Sequence, residues 1–177
     1  MCLLDDYVNK NSNNNFDYGG KFSNKGNVSK KIISQNMLDK FFKKRYPKSI
    51  DRNYFSLNVY SQLDFFDACS TISMFTAFSI FNGIKKLNKK YKNIYIMGGG
   101  SKNLFILREL SKLTKVQVKS INTKKLSEKY IESQAFAYLA IRSLKKLPIS
   151  FPNTTGVIKS SRGGKIFHLS KPWVQLN

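Results

Sequence analysis

The chain has 177 residues and carries 31 Lys+Arg against 10 Asp+Glu, a formal net charge of +21. That length buries one good core and suits a single domain or half of a larger one. No run approaches the roughly 18 apolar residues of a membrane span, and the N-terminal stretch MCLLDDYVNK has acid where a secretory signal needs base. Cys2 and Cys69 have neither disulfide-framework density nor metal-ligand spacing, and His168 is the single histidine. A zinc site is therefore not expected, and both thiols are read as reduced ones in a cytoplasmic protein.

The basic excess has two readings. Phosphate neutralisation on a nucleic acid is one. The other is a compositional drift that raises Lys, Asn, Ile, Phe and Tyr together, as this chain does. Basic pairs such as Lys30-Lys31, Lys85-Lys86 and Lys145-Lys146 sit near predicted helix ends, where a cation complements the macrodipole. No known nucleic-acid motif accompanies them, so drift is preferred and a nucleic-acid partner is kept as an alternative.

In chain order, Leu3, Leu4, Tyr7 and Val8 make a short amphipathic helix with almost no lead-in to cap or pack against. Residues 11–27, with NSNNN, Gly19-Gly20 and Gly26, read as a polar loop. A helix is predicted over 28–42, and Tyr46-Pro47 ends it before the loop PKSIDRNYF. A short helical turn over 64–69 and a longer helix over 71–87 follow; the latter is apolar on much of its circumference and so central.

Ile94 to Met97 form the apolar run of a short buried strand, and Gly98, Gly99 and Gly100 follow at once. Leu104, Ile106, Leu107 and Leu110 then recur at helical spacing. Strand, glycine turn and helix in that order build either a tight turn or an anion or nucleotide site, because residues without Cβ let backbone N–H groups approach a ligand. The triplet has the spacing of neither GxGxxG nor GxxxxGK[ST], so neither fingerprint is claimed. Val116 to Val118 alternates as a second strand, and 129–147 reads as a helix with Ser127 as N-cap and Pro148 as stop. A hairpin over 155–169 is predicted around Arg162-Gly163-Gly164, with Ile166-Phe167 in the returning strand. The pattern is α/β without an internal repeat.

Three stretches go beyond generic α/β: PKSIDRNYF at 47–55, IYIMGGGSKN at 94–103 and YIESQAFAYLAIRSLKKLP at 130–148. Together they resemble the C-terminal half of anhydro-N-acetylmuramic acid kinase. CLLDDYV and FDYGGKFSNKGNV are similar to earlier segments of that half in the same order, while the last stretch, KIFHLSKPWVQLN, matches poorly. The resemblance implies the C-terminal lobe of an actin-like (ribonuclease-H-like) sugar-kinase fold binding ATP with Mg²⁺. It implies cleavage of the 1,6-anhydro ring with water and phosphorylation at O6, in the recycling of cell-wall amino sugar. It sets Gly98, Gly99, Gly100 and Asn103 along the nucleotide and Glu132 on the sugar. Lys48 and Arg52 are weaker candidates that order their loop.

Members of that family are longer. Their first half carries an SGTSxDG-type phosphate loop and, just before the segment matched by CLLDDYV, an FDTGPGN-type motif whose aspartate is the base for water. None of those residues is in this sequence, and Asp5, Asp6 and Asp17 do not match the base position. A base must lie within hydrogen-bond reach of the water, so the chain is expected to be a single lobe, incompetent alone. Its expected partners are anhydro-N-acetylmuramic acid and either a separate N-terminal half or a second copy of itself. A non-catalytic nucleotide-binding module stays open as a second reading.

Overall fold

The structure is a computed structural model that describes residues 2–87, 89–121 and 130–167. The described elements run α1 (Cys2–Asn11), α2 (Lys30–Met37), α3 (Lys40–Lys43), α4 (Phe65–Lys86), β1 (Asn93–Ile96), α5 (Leu104–Thr114), β2 (Gln117–Ser120), α6 (Ile131–Leu144) and α7 (Pro152–Thr155). They fall into two units. The first takes residues 1–44 and 49–131, the second 45–48 and 132–177.

The first unit is organised on α4. The Asp64 side chain caps it by accepting from the Asp67 N–H, and the helix runs unbroken for 22 residues. The predicted division into a turn over 64–69 and a helix from 71 is thus corrected. Ser70, Thr71 and Ser73 look like helix breakers in the sequence, yet here their hydroxyls have partners and the helix continues through them. The buried side is made of small residues, Ala68, Cys69, Ser70, Thr71, Ser73 and Ala77, with Ile72 and Phe75 between them. Small side chains let neighbouring backbone come close.

Helix α1 lays Leu4, Tyr7 and Val8 against Ala68, Cys69 and Ile72, with Ile32 of α2 and the fully buried Tyr60 closing that cluster. The Tyr60 hydroxyl accepts from Asn36 Nδ2 at 2.9 Å, and burial pushes its pKa up to about 12. A second cluster joins Ile33, Phe42 and Phe75. Phe55, the last residue of PKSIDRNYF, sits edge-on to Phe75 at 5.0 Å and stacked on Phe42 at 5.9 Å. The predicted helix over 28–42 is two, broken at Asp39, whose carboxylate caps α3 through the Phe41 N–H at 2.7 Å.

The segment 11–27 is a loop, and part of it lies inside. Asp17 is 2% exposed and Ser23 is fully buried. Asp17 Oδ1 accepts from the Phe22 N–H at 2.7 Å; Oδ2 accepts from the Ser23 N–H at 3.0 Å and the Ser23 hydroxyl at 2.6 Å. Ser70 donates to the Ser23 carbonyl at 2.6 Å, and the Ser23 and Ser73 hydroxyls pair at 2.7 Å. Further along, Asp67 Oδ1 accepts from the Asn27 N–H at 2.5 Å and Thr71 Oγ1 from the Ser29 N–H at 3.0 Å. Gly26 approaches the Phe66–Asp67 backbone so closely that a Cβ there would overlap it. Burying a polar loop is tolerable when its polar groups are paired, and α4 supplies many of the partners.

β1 and β2 pair in parallel in the register Asn93↔Gln117 to Ile96↔Ser120, joined through α5. Ile96 and Val118 pack against Ile106 and Leu110 of α5 and Ala77 of α4. This matches the predicted strand–helix–strand order. Among the described residues, no helix is long and apolar enough to cross a membrane.

In the second unit α6 buries none of its residues. Arg142 Nε donates to the Pro148 carbonyl at 2.6 Å, tying the helix end to the proline that follows it. The predicted hairpin over 155–169 is corrected where it is described. A single antiparallel bridge joins Ser150 and Ser161, α7 and the left-handed Gly156 lie between them, and 162–167 form no strand. Ser127, His168 and the tail beyond lie outside the described residues.

Asp17→Ala removes the acceptor of three donors, two of them backbone. A loss of about 2–4 kcal/mol is expected in urea unfolding, with Asp17→Asn intermediate because it keeps one carbonyl oxygen.

Candidate functional site

The glycine triplet turns the chain between β1 and α5. Gly98 takes φ +81°, a left-handed value that other residues adopt only with strain. Its carbonyl accepts from both the Ser101 N–H at 3.0 Å and the Ser101 hydroxyl at 2.7 Å. Gly99–Lys102 then form one 3-10 turn, ending at Asn103. Asn103 Oδ1 accepts from the Ile106 N–H at 3.1 Å and so caps α5. Asn103 is 1% exposed, and its Nδ2 has no partner among the described residues.

The 3-10 turn Tyr18–Gly20 lies against the start of α5. A Cβ on Gly20 would fall 2.6 Å from Asn103 Oδ1 and 3.0 Å from the Phe105 N. The first turn of α5 is therefore covered by Gly20, and the glycine backbone beside it fronts the open space. That space is a pocket of about 390 Å³ lined by Cys2, Asp5, Phe16, Asp17, Tyr18 and Gly19 on one side and Gly99, Gly100, Lys102 and Asn103 on the other. A Cβ on Gly99 would meet nothing.

Of the predicted nucleotide-side residues, Gly99, Gly100 and Asn103 share this pocket, and Gly98 sets the turn that presents them. Glu132 lies exposed in the first turn of α6, in the second unit. Arg52 pairs with Asp6 at 2.9 Å on the surface and so ties the 49–55 loop to α1. Lys48 lies over the Tyr46 ring at 5.2 Å within the second unit. The weaker expectation for both, ordering of the loop, agrees with these contacts.

Sequence reasoning missed the acidic wall. Asp17 has all its hydrogen bonds within its own loop, as described above, and so is a structural carboxylate. Asp5 is different: its Oδ1 is screened from solvent and has no partner among the described residues. Burial, reinforced by the Asp6 and Asp17 charges, raises the Asp5 pKa above its ordinary 3.8. The one sequence signal was the placement of Asp5 directly after Leu4 and three residues before Val8, beside the side of α1 that meets the core. Cys69 is also inside, and burial raises its pKa to about 12, which keeps the thiol protonated and unreactive.

The fold and the pocket define a small mixed α/β domain whose glycine turn fronts a half-open, partly acidic space. A family model described as anhydro-N-acetylmuramic acid kinase matches residues 1–169. Proteins named anhydro-N-acetylmuramic acid kinase are similar to the chain: that of Pelagibacter ubique is 41% identical over 171 residues, covering 92% of this chain and 45% of that protein. That of Zymomonas mobilis subsp. mobilis is 33% identical, covering 94% and 46%. That of Rhodopseudomonas palustris is 36% identical, covering 93% and 46%. The chain belongs to the anhydro-N-acetylmuramic acid kinase family. It spans a little under half the length of these relatives.

The raised Asp5 pKa sets a sign. The folded chain holds this proton more tightly than the unfolded chain, so the contribution of Asp5 to stability is best below the ordinary 3.8 and declines as pH rises through the folded value. Asp5→Asn cannot ionise. It is expected to unfold at higher urea than the parent at neutral pH, with the gap closing as pH falls from the raised folded value to 3.8.

Proposed function

We propose that this chain is the nucleotide-facing C-terminal lobe of an ATP-dependent anhydro-N-acetylmuramic acid kinase with an actin-like fold, acting in the cytoplasm. The reaction in this reading opens the 1,6-anhydro ring with water and phosphorylates O6. The observation that carries it is the convergence of Gly99, Gly100 and Asn103 on one pocket behind the left-handed Gly98, in a chain of that family. The bare glycine backbone leaves room for a ligand to lie flat against the turn, and Lys102 adds a cation at the same wall. Glu132 is assigned to the sugar by the family resemblance.

Mg²⁺ belongs to this reading through the nucleotide, whose β- and γ-oxygens a cation bridges in phosphoryl transfer. Among the described residues, no group of three His, Cys, Asp or Glu side chains is placed to hold a metal. No step is therefore assigned to a metal held by this chain. The base for water is likewise assigned to a polypeptide equivalent to the remaining length of the relatives, either a separate half or one supplied within an oligomer.

Two measurements test the reading. Gly99→Ala places a methyl in open pocket space, so its unfolding midpoint should match the parent while ADP affinity falls about tenfold or more. ADP binding unchanged in this variant would remove the pocket from the reading. The second measurement is turnover of anhydro-N-acetylmuramic acid with ATP, expected only when a polypeptide carrying the phosphate loop and the base is added. Turnover by the chain alone would overturn the division of labour.

A further inference from the structure

The sheet of the first unit is open on two sides. Parallel strands occur almost only where both faces are covered, and two paired strands alone are marginal in water. Here Ile96 and Val118 pack on α4 and α5. On the other face Tyr95 is 54% exposed, and Gln117 and Lys119 of β2 are exposed as well. Met97, directly after β1, is 42% exposed.

The outer edge of β1 is bare too. The Ile121 N–H donates to the Ile96 carbonyl at 3.0 Å, so Ile96 turns its polar backbone groups to β2. Successive residues of a parallel strand turn theirs to alternate sides, which points those of Asn93 and Tyr95 away from β2. Among the described residues β1 pairs with no strand but β2, and the backbone groups of Asn93 and Tyr95 have no partner. Nothing blunts this edge: β1 holds no proline, runs in unbroken register, and its Ile94, Tyr95 and Ile96 favour strand pairing.

The occupant can be narrowed. A second copy is a poor match, because each chain carries +21. Lys90 and Lys92 lead into β1 and Lys119 lies beside Tyr95 in the ladder, so two copies edge to edge bring like charges together. The Pelagibacter ubique relative, of which this chain covers 45%, has more than half its length left to supply a strand.

We infer that the free edge of β1 is a docking edge, where a strand of a polypeptide equivalent to the remaining length of the relatives adds to the sheet through the Tyr95 N–H and carbonyl. That strand is apolar over Tyr95 and Met97, with acid rather than base facing Lys90 and Lys92. This rests on the proposed division of the kinase between two polypeptides, and it is the strand-addition mode of recognition, in which main-chain bonds supply affinity.

The test is to co-express the full chain with the part of the Pelagibacter ubique relative outside the matched stretch, and to measure complex formation and amide hydrogen exchange. In the chain alone Tyr95 exchanges within about tenfold of an unstructured amide, and in the complex it slows about a hundredfold or more. The Ile121 amide reports an intact sheet in both. Tyr95→Pro removes the outward donor at an edge position where proline is tolerated, and Tyr95→Thr removes the ring but keeps the donor. The proline variant weakens the complex about tenfold or more, and the threonine variant stays within about threefold of the parent. The exchange measurement on the parent decides the matter if the proline variant loses Ile121 protection.

Four results overturn the inference: Tyr95 already protected in the chain alone, no complex, a complex that leaves Tyr95 unprotected, or a proline variant with an intact sheet that binds as the parent does. Turnover by a complex with Tyr95 unprotected keeps the kinase reading and removes only the strand addition. ADP binding by the chain without any complex likewise leaves the nucleotide pocket standing.

Discussion

The buried Asp17 carboxylate is the constraint from which the site follows. A carboxylate inside a protein is tolerable only when its lone pairs are met, and the two oxygens of Asp17 take the Phe22 and Ser23 N–H groups and the Ser23 hydroxyl. Those bonds fold 17–23 into a closed loop whose far side is held by Ser70 and Ser73 of α4. Because the loop is fixed at Asp17, the residues that follow at once, Tyr18 to Gly20, are fixed too. Gly20 thereby comes to rest on Asn103 and the start of α5. One wall of the pocket is thus set by a carboxylate whose three bonds all close its own loop.

The same logic explains α4. A helix carrying large apolar residues all round would hold its neighbours at the usual helix separation of about 8–10 Å. With Ala68, Cys69, Ser70, Thr71 and Ser73 on its buried side, α4 admits backbone instead, and the hydroxyls bond to what they admit. Gly26 above Phe66 and Asp67 is the counterpart on the loop side. The first unit is therefore held by hydroxyl-to-backbone bonds where α4 meets the loop, and by apolar packing where it meets α1, α2 and α5.

What could be read from the sequence divides along that line. The β1–glycine–α5–β2 order was legible because apolar periodicity and glycine are local signals. The role of Asn103 as a cap is likewise local, set three residues before Ile106. The burial of Asp17 and Ser23 was not legible: their partners sit five and six residues away within the loop and some fifty residues away on α4, and composition alone makes 11–27 a solvated stretch. The Ser/Thr run of α4 misled for the same reason, since hydroxyls break a helix or stitch it to its surroundings according to what lies alongside. The hairpin at 155–169 failed on another ground. Gly163 and Gly164 signal a turn, but a turn needs two strands to join, and Pro152 commits the preceding segment to α7.

The pocket lies wholly within one unit. Asp5, the 17–20 turn and the 99–103 turn all belong to the first unit, so the pocket forms without Glu132 and without any described residue of the second. The two carboxylates that line it differ in kind. Asp17 is structural, its bonds closing its own loop, whereas burial raises the Asp5 pKa above its ordinary 3.8 and its Oδ1 has no partner among the described residues. Abstracting a proton from water asks for a carboxylate within hydrogen-bond reach of that water, and the three bonds on Asp17 commit it to closing its own loop.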